Sequence, residues 1–154
     1  MVFKNRKLPV ILFVFYCAVM LWLLFIRYRN IEIVDYWVQM ASRINLVPFS
    51  SMGSMIRTLL ENPRWDVFRV VVYNVGGNIG MFLPLGFLLP ELWPKLRRFW
   101  RCAAAVAGIM ICVELAQLFT LRGFCETDDV MLNVLGGAVG YGMWKFCARK
   151  GWKQ

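Results

Sequence analysis

The sequence predicts an all-α, polytopic membrane protein: a bundle of four transmembrane helices with a long outward loop that carries a short amphipathic helix. Three observations predict it. Hydrophobic residues make up 60% of the chain and charged residues 18%, whereas a soluble domain is nearer half apolar and about a quarter charged. Four stretches approach the roughly 20 apolar residues that a helix needs to cross a bilayer core. The basic residues gather on one side of those stretches. A length of 154 residues leaves room for a single domain, 1–154.

The first span covers about 8–26 and holds no charge. Its apolar run is long for a cleaved signal peptide and lacks a small-x-small cleavage site, so it reads as a retained anchor. The second, about 70–89, holds Asn74, Asn78 and Pro84. The third, about 102–121, holds Glu114 and Gln117. The fourth, about 130–146, is short, contains Asn133 and several glycines, and ends where Lys145 can snorkel. Helices are expected throughout, because backbone polar groups in lipid must be satisfied within the segment.

Basic residues orient such spans. Lys4, Arg6 and Lys7 precede the first; Lys95, Arg97, Arg98 and Arg101 follow the second; Lys145, Arg149, Lys150 and Lys153 end the chain. The opposite side carries fewer cations, and seven acids offset them, among them Glu32, Asp35, Glu61 and Asp66. Both termini are therefore expected in the cytoplasm of a multi-pass plasma-membrane protein, with outward loops at about 27–69 and 122–129. The net charge of +9 is an inside-positive bias rather than a nucleic-acid interface.

A first loop of this length is too long to serve only as a connection. Pro48 excludes a helix interior there, and Ser50 or Ser51 is placed to cap a helix that follows. Met52, Met55, Ile56, Leu59 and Leu60 recur at helical spacing until Asn62-Pro63 stops them. This is an amphipathic helix lying on the outer surface or covering the mouth of the bundle. Within 27–42, Ile31, Val34, Val38 and Ala41 make a weaker stripe.

The chain has no histidine. That excludes His-based acid/base chemistry, Ser-His-Asp and Cys-His triads, and zinc sites that need imidazole. Five cysteines, at 17, 102, 112, 125 and 147, include only one in an outward loop, so they read as small apolar side chains and not as a disulfide framework. The glycine-rich segments lie in apolar helices with no lysine following, unlike phosphate-binding loops, and no cofactor is expected.

Amides and acids within lipid face the bundle and find partners. Asn74 and Asn78 are four apart and share a face; Pro84 frees the carbonyl of Gly80, so a kink or break is expected there. Glu114 and Gln117 share a face of the third span, with Arg122 or Arg69 as ion-pair partners for Glu114. Glu126, Asp128 and Asp129 crowd the start of the fourth span, where they can cap it and complement its dipole. Asn133 lies one turn below Asp129. With this topology all these residues converge on the outward side. They form either interhelical packing contacts or a polar pocket; oxygen ligands of this kind could also hold Mg²⁺ or Ca²⁺, although no metal is expected. Gly136 and Gly140 form a GxxxG, suited to close packing inside the bundle or to a homodimer face.

These ordered pieces resemble the VanZ-like family of small membrane proteins. The pieces are Asn45-Leu46-Val47-Pro48-Phe49, then Asn74-x3-Asn78-x3-Phe82-Leu83-Pro84-Leu85-Gly86, then Glu114-x2-Gln117 and Arg122. Asp128-Asp129-x3-Asn133-x2-Gly136-Gly137-x2-Gly140-Tyr141 completes them. Glu126 stands where the family more usually has an aspartate, and Cys125 reads as an inserted residue. The resemblance implies a membrane protein associated with low-level resistance to teicoplanin-type glycopeptides, with no accepted catalytic residues.

Three readings of the polar cluster follow. In the first, Asn74, Asn78, Glu114, Gln117, Arg122, Asp128, Asp129 and Asn133 form an outward pocket. It engages a lipid-linked envelope precursor, another envelope component or the lipid-anchored glycopeptide itself. In the second, an intramembrane enzyme uses Glu114 as general acid/base, Asp129 as its partner or a metal ligand, and Arg122 to stabilise developing negative charge. In the third, the residues only specify helix packing in a structural or assembly subunit.

Overall fold

The computed structural model describes residues 2–3, 5, 7–26 and 35–151. Of the residues singled out above, Lys4, Arg6, Ile31, Glu32, Val34 and Lys153 lie outside the described residues. The rest is almost wholly helical.

Helix α1, Lys7–Leu21, continues as one turn of π-helix at Trp22–Ile26. The short α2, Tyr36–Ser42, starts where the Asp35 carboxylate accepts the Val38 N–H at 3.2 Å. Helix α3, Ser50–Glu61, ends at Asn62. Helix α4 covers Trp65–Leu92, a 3₁₀ turn at Pro94–Leu96 follows, and α5 covers Phe99–Phe119. Helix α6, Thr127–Gly151, completes the chain's described elements. Two residues of β1, Ile44–Asn45, pair in parallel with β2, Cys125–Glu126, tying the two loop regions together.

Among the described residues, three helices are long and apolar enough to cross a membrane: Lys7–Ile26, Trp65–Leu92 and Phe99–Phe119. Helix α6 is not among them, so the expectation of four apolar spans meets three. The reason is where α6 sits. It packs along α4 and against α5, and its buried side there includes Asn133 and three glycines, which lower its hydropathy. A Cβ on Gly136 would lie 2.2 Å from the Ile79 carbonyl oxygen, and one on Gly140 would lie 2.0 Å from that of Leu83. Gly86 of α4 meets the backbone of Gly137, whose other neighbour is Val106 of α5. The GxxxG stripe thus faces α4 within the same chain.

These pairings also give the directions. Ile79 meets Gly136 and Leu83 meets Gly140, so α4 and α6 run parallel. The Tyr16 hydroxyl donates to the Met81 carbonyl, and the Val2 N–H donates to Glu91, so α1 runs against α4. Asn133 meets Met110 and Gly137 meets Val106, so α5 runs against α6. Core side chains include Met20, Phe82, Leu85, Leu89, Val106, Met110, Tyr141 and Trp144. Much of α1, including Ile11, Val14 and Phe15, is exposed apolar surface, as lipid-facing residues are.

The break considered at Pro84 is not present: one helix runs without interruption through both Pro84 and Pro90. Phe82 and Leu85 are buried on either side of the proline, and Tyr16 supplies a donor to the neighbouring Met81 carbonyl. Packing therefore holds the helix across the lost backbone hydrogen bond. All five cysteines are free thiols.

Candidate functional site

A cavity of about 660 Å³ opens at the end of the bundle where α4 begins and α5 ends. Its size is that of a small-ligand site. Asn74, Asn78, Gln117, Arg122, Asp128 and Asp129 all line it. The loop regions add Arg43 and Glu126, and α3 adds Ser51, Met52 and Met55. Leu23, Leu24, Met81 and Leu132 complete an apolar side. The lining thus combines polar and apolar side chains.

Each polar residue reaches this place for a local reason. Asn74 and Asn78 are one helical turn apart on α4. The Asn74 amide folds back to donate to its own helix at the Val70 carbonyl (2.8 Å), whereas the Asn78 amide donates across to the Asp129 carboxylate at 2.6 Å. That bond joins α4 to the first turn of α6, and with one charged partner it is among the stronger kinds. Gln117 donates to the Leu24 carbonyl at 3.3 Å and so ties α5 to the end of α1. Arg122 follows α5 by way of Leu121, which has a positive φ of 54°. The Arg122 N–H returns to the Gln117 carbonyl and the Leu121 N–H to Leu118, which closes α5 in a Schellman motif. Leucine is strained at that position, but its side chain is 1% exposed, and its carbonyl accepts from Arg43 at 2.7 Å.

Asp128 does not cap its own helix. Its carboxylate accepts the backbone N–H groups of Phe49 and, at 2.9 Å, Met52. It therefore caps α3 from across the cavity. The expected cap at Ser50 or Ser51 is replaced: the N-cap is Phe49, with φ 62° and no side-chain bond of its own. The two serine hydroxyls instead meet the Asn45 amide, at 2.8 and 3.1 Å. Nothing local in the sequence marks this exchange, because the capping group is 79 positions away.

Two predicted residues stand behind the wall. Glu114 is 2% exposed, and its carboxylate accepts the Glu126 N–H at 3.1 Å, holding the β2 loop against α5. Ion pairing of Glu114 with Arg122 or Arg69 was expected. Among the described residues the salt bridges are Arg57–Glu61 and Arg64–Asp66 instead, and Arg69 lies over the Trp65 ring. Asn133 is 1% exposed and donates to the Met110 sulfur, away from the cavity lining. Sequence reasoning placed Glu126 in the outward polar cluster but missed Arg43 and Ser51 as cavity residues. The expectation that α3 covers the mouth of the bundle was the available signal for Ser51.

No group of three His, Cys, Asp or Glu side chains among the described residues is placed to hold a metal ion. Burial pushes the Cys125 thiol above its ordinary value, and the nearby Glu114 carboxyl adds to this, so the group is a thiol and not a nucleophilic thiolate at neutral pH.

The chain matches no curated protein and no solved structure. A family model described as VanZ/LLP1 matches residues 13–148. That match takes in α4, α5, nearly all of α6 and every residue of the cavity, so the chain belongs to the VanZ/LLP1 family.

Proposed function

We propose that the cavity is an outward-facing pocket that engages the polar headgroup of a lipid-anchored envelope component, or a lipid-anchored glycopeptide, and thereby contributes to low-level teicoplanin resistance. The observation that carries this reading is the mixed polar and apolar lining. Amides, Arg122 and Asp129 suit a polar headgroup, while Leu23, Leu24, Met52, Met55 and Leu132 suit the lipid portion beside it. The volume favours a headgroup over a whole glycopeptide.

In this reading α6 is the fourth span. Its 25 residues reach about 37 Å at 1.5 Å per residue, and its small and polar side chains are shielded by α4 and α5. The concentration of Lys and Arg at the opposite end puts that end, and both termini, in the cytoplasm. Glu114 acts through position: it fixes the loop that carries Glu126 and does not transfer protons.

The test is teicoplanin susceptibility of a sensitive Gram-positive host at matched membrane abundance. Asn78→Ala, Gln117→Ala and Arg122→Gln should each weaken protection by graded amounts. Glu114→Gln keeps an oxygen acceptor for the Glu126 N–H and should retain protection. Loss of all protection in Glu114→Gln, with folding intact, would support the intramembrane-enzyme reading instead. Unchanged protection in all three cavity variants would end the binding reading.

A further inference from the structure

The opposite end of the bundle carries a second cavity that the first does not explain. It has a volume of about 700 Å³. Arg97, Lys145, Arg149 and Lys150 line it over Tyr141 and Trp144, and its wall includes no acid. Among the described residues, neither salt bridge involves any of these four cations. Lys145 and Arg149 lie one helical turn apart on α6, and like charges at that spacing repel one another.

Arg97 is anchored beside the cavity. Its Nε donates to the Pro90 carbonyl at 3.2 Å, but its Nη2 is buried with no hydrogen-bond partner among the described residues. The surrounding frame is well held. The Tyr141 hydroxyl donates to the Arg97 carbonyl at 2.6 Å, and Trp144 Nε1 donates at 2.9 Å to Glu91. Glu91 also accepts the N–H groups of Val2 and Phe3, so its carboxylate is engaged behind the aromatic floor.

The cavity lies where α4 and α6 end and α5 begins, the depth at which membrane proteins place aromatic residues and snorkelling cations. Phe146, beside it, is exposed and apolar, as a side chain facing acyl chains would be. We infer that this basic, aromatic-floored cavity is a binding site for the phosphate headgroup of an anionic phospholipid. The inference is independent of the pocket at the other end. It requires only that the protein lie in a membrane.

The test is native mass spectrometry of the purified full chain offered equal amounts of phosphatidylglycerol and phosphatidylcholine. The wild type should retain phosphatidylglycerol preferentially. Lys145→Gln/Arg149→Gln, whose side chains are exposed and make no packing contacts in the core, should lose that preference by about fivefold for each cation removed. Arg97→Gln should lose it as well. Lys95→Gln/Arg101→Gln removes equal charge from the same end outside the cavity and should change little. Absence of a preference in the wild type, its survival in Lys145→Gln/Arg149→Gln, or equal loss in Lys95→Gln/Arg101→Gln would each overturn the site. Displacement of the lipid by excess inorganic phosphate would overturn the lipid assignment in favour of a free anion.

Discussion

Asp128 illustrates how one side chain can be read correctly as a cap and assigned to the wrong helix. Aspartate at the start of a helix accepts backbone N–H groups because the first turn leaves them unsatisfied. Here the N–H groups belong to α3, and the carboxylate reaches them because β1 and β2 bring the two loops together. Asp128→Ala should lower stability by about 1–2 kcal/mol and loosen α3, while Asp128→Asn, which keeps one acceptor, should cost less. Thermal unfolding in detergent, with proteolysis between α2 and α4, measures both. Leu121 balances strain against burial in the same region. Leu121→Gly would relieve the positive φ but remove a side chain that is 1% exposed, and burial of a leucine is worth about 1.5–3 kcal/mol. The expected result is a lower melting temperature despite the better backbone. Cys125, held as a thiol by burial, should react slowly with a maleimide at neutral pH and faster as pH rises.

At the scale of elements, the glycines divide into two kinds that the sequence does not separate. Gly136, Gly137 and Gly140 on α6, with Gly86 on α4, allow backbones to touch. Gly76, Gly77 and Gly80 on α4 face open space, where a Cβ would meet nothing within 4 Å. Gly80→Ala should therefore be neutral or stabilising by up to about 1 kcal/mol through helix propensity. Gly140→Ala must push α4 and α6 apart and should destabilise by about 1–3 kcal/mol. Comparing the two variants by thermal unfolding separates packing from propensity. Helix α4 makes the related point for proline. Pro84 removes one backbone hydrogen bond, yet the helix continues because Phe82, Leu85 and their neighbours are buried around it.

The whole molecule is polarised. A cavity with both polar and apolar walls occupies one end, a basic cavity occupies the other, and α6 joins them. A cysteine introduced as Arg57→Cys on α3 should react with a membrane-impermeant maleimide in intact cells, whereas Lys95→Cys should react only after permeabilisation. The reverse pattern would invert the topology. Helix α3 contributes to this polarity by turning Ser51, Met52 and Met55 toward the first cavity while Ile56 and Leu60 stay exposed.

Sequence alone determined the features that depend on local chemistry. Apolar runs located α1, α4 and α5, because lipid demands long uncharged segments. The Met52–Leu60 spacing and Asn62-Pro63 located α3, and the order of motifs located the family. Asn74, Asn78, Gln117, Arg122, Asp128 and Asp129 were legible as a cluster because polar groups are expensive in a membrane and must face inward. Tertiary structure decided what depends on distant neighbours. It set Glu114 and Asn133 behind the wall, gave Asp128 to α3, brought in Arg43, and turned the GxxxG toward α4. It also placed the glycines of α6 against the backbone of α4. The physical reason is that hydrophobicity and periodicity fix which face of a helix turns inward, but only packing decides which partner meets it there.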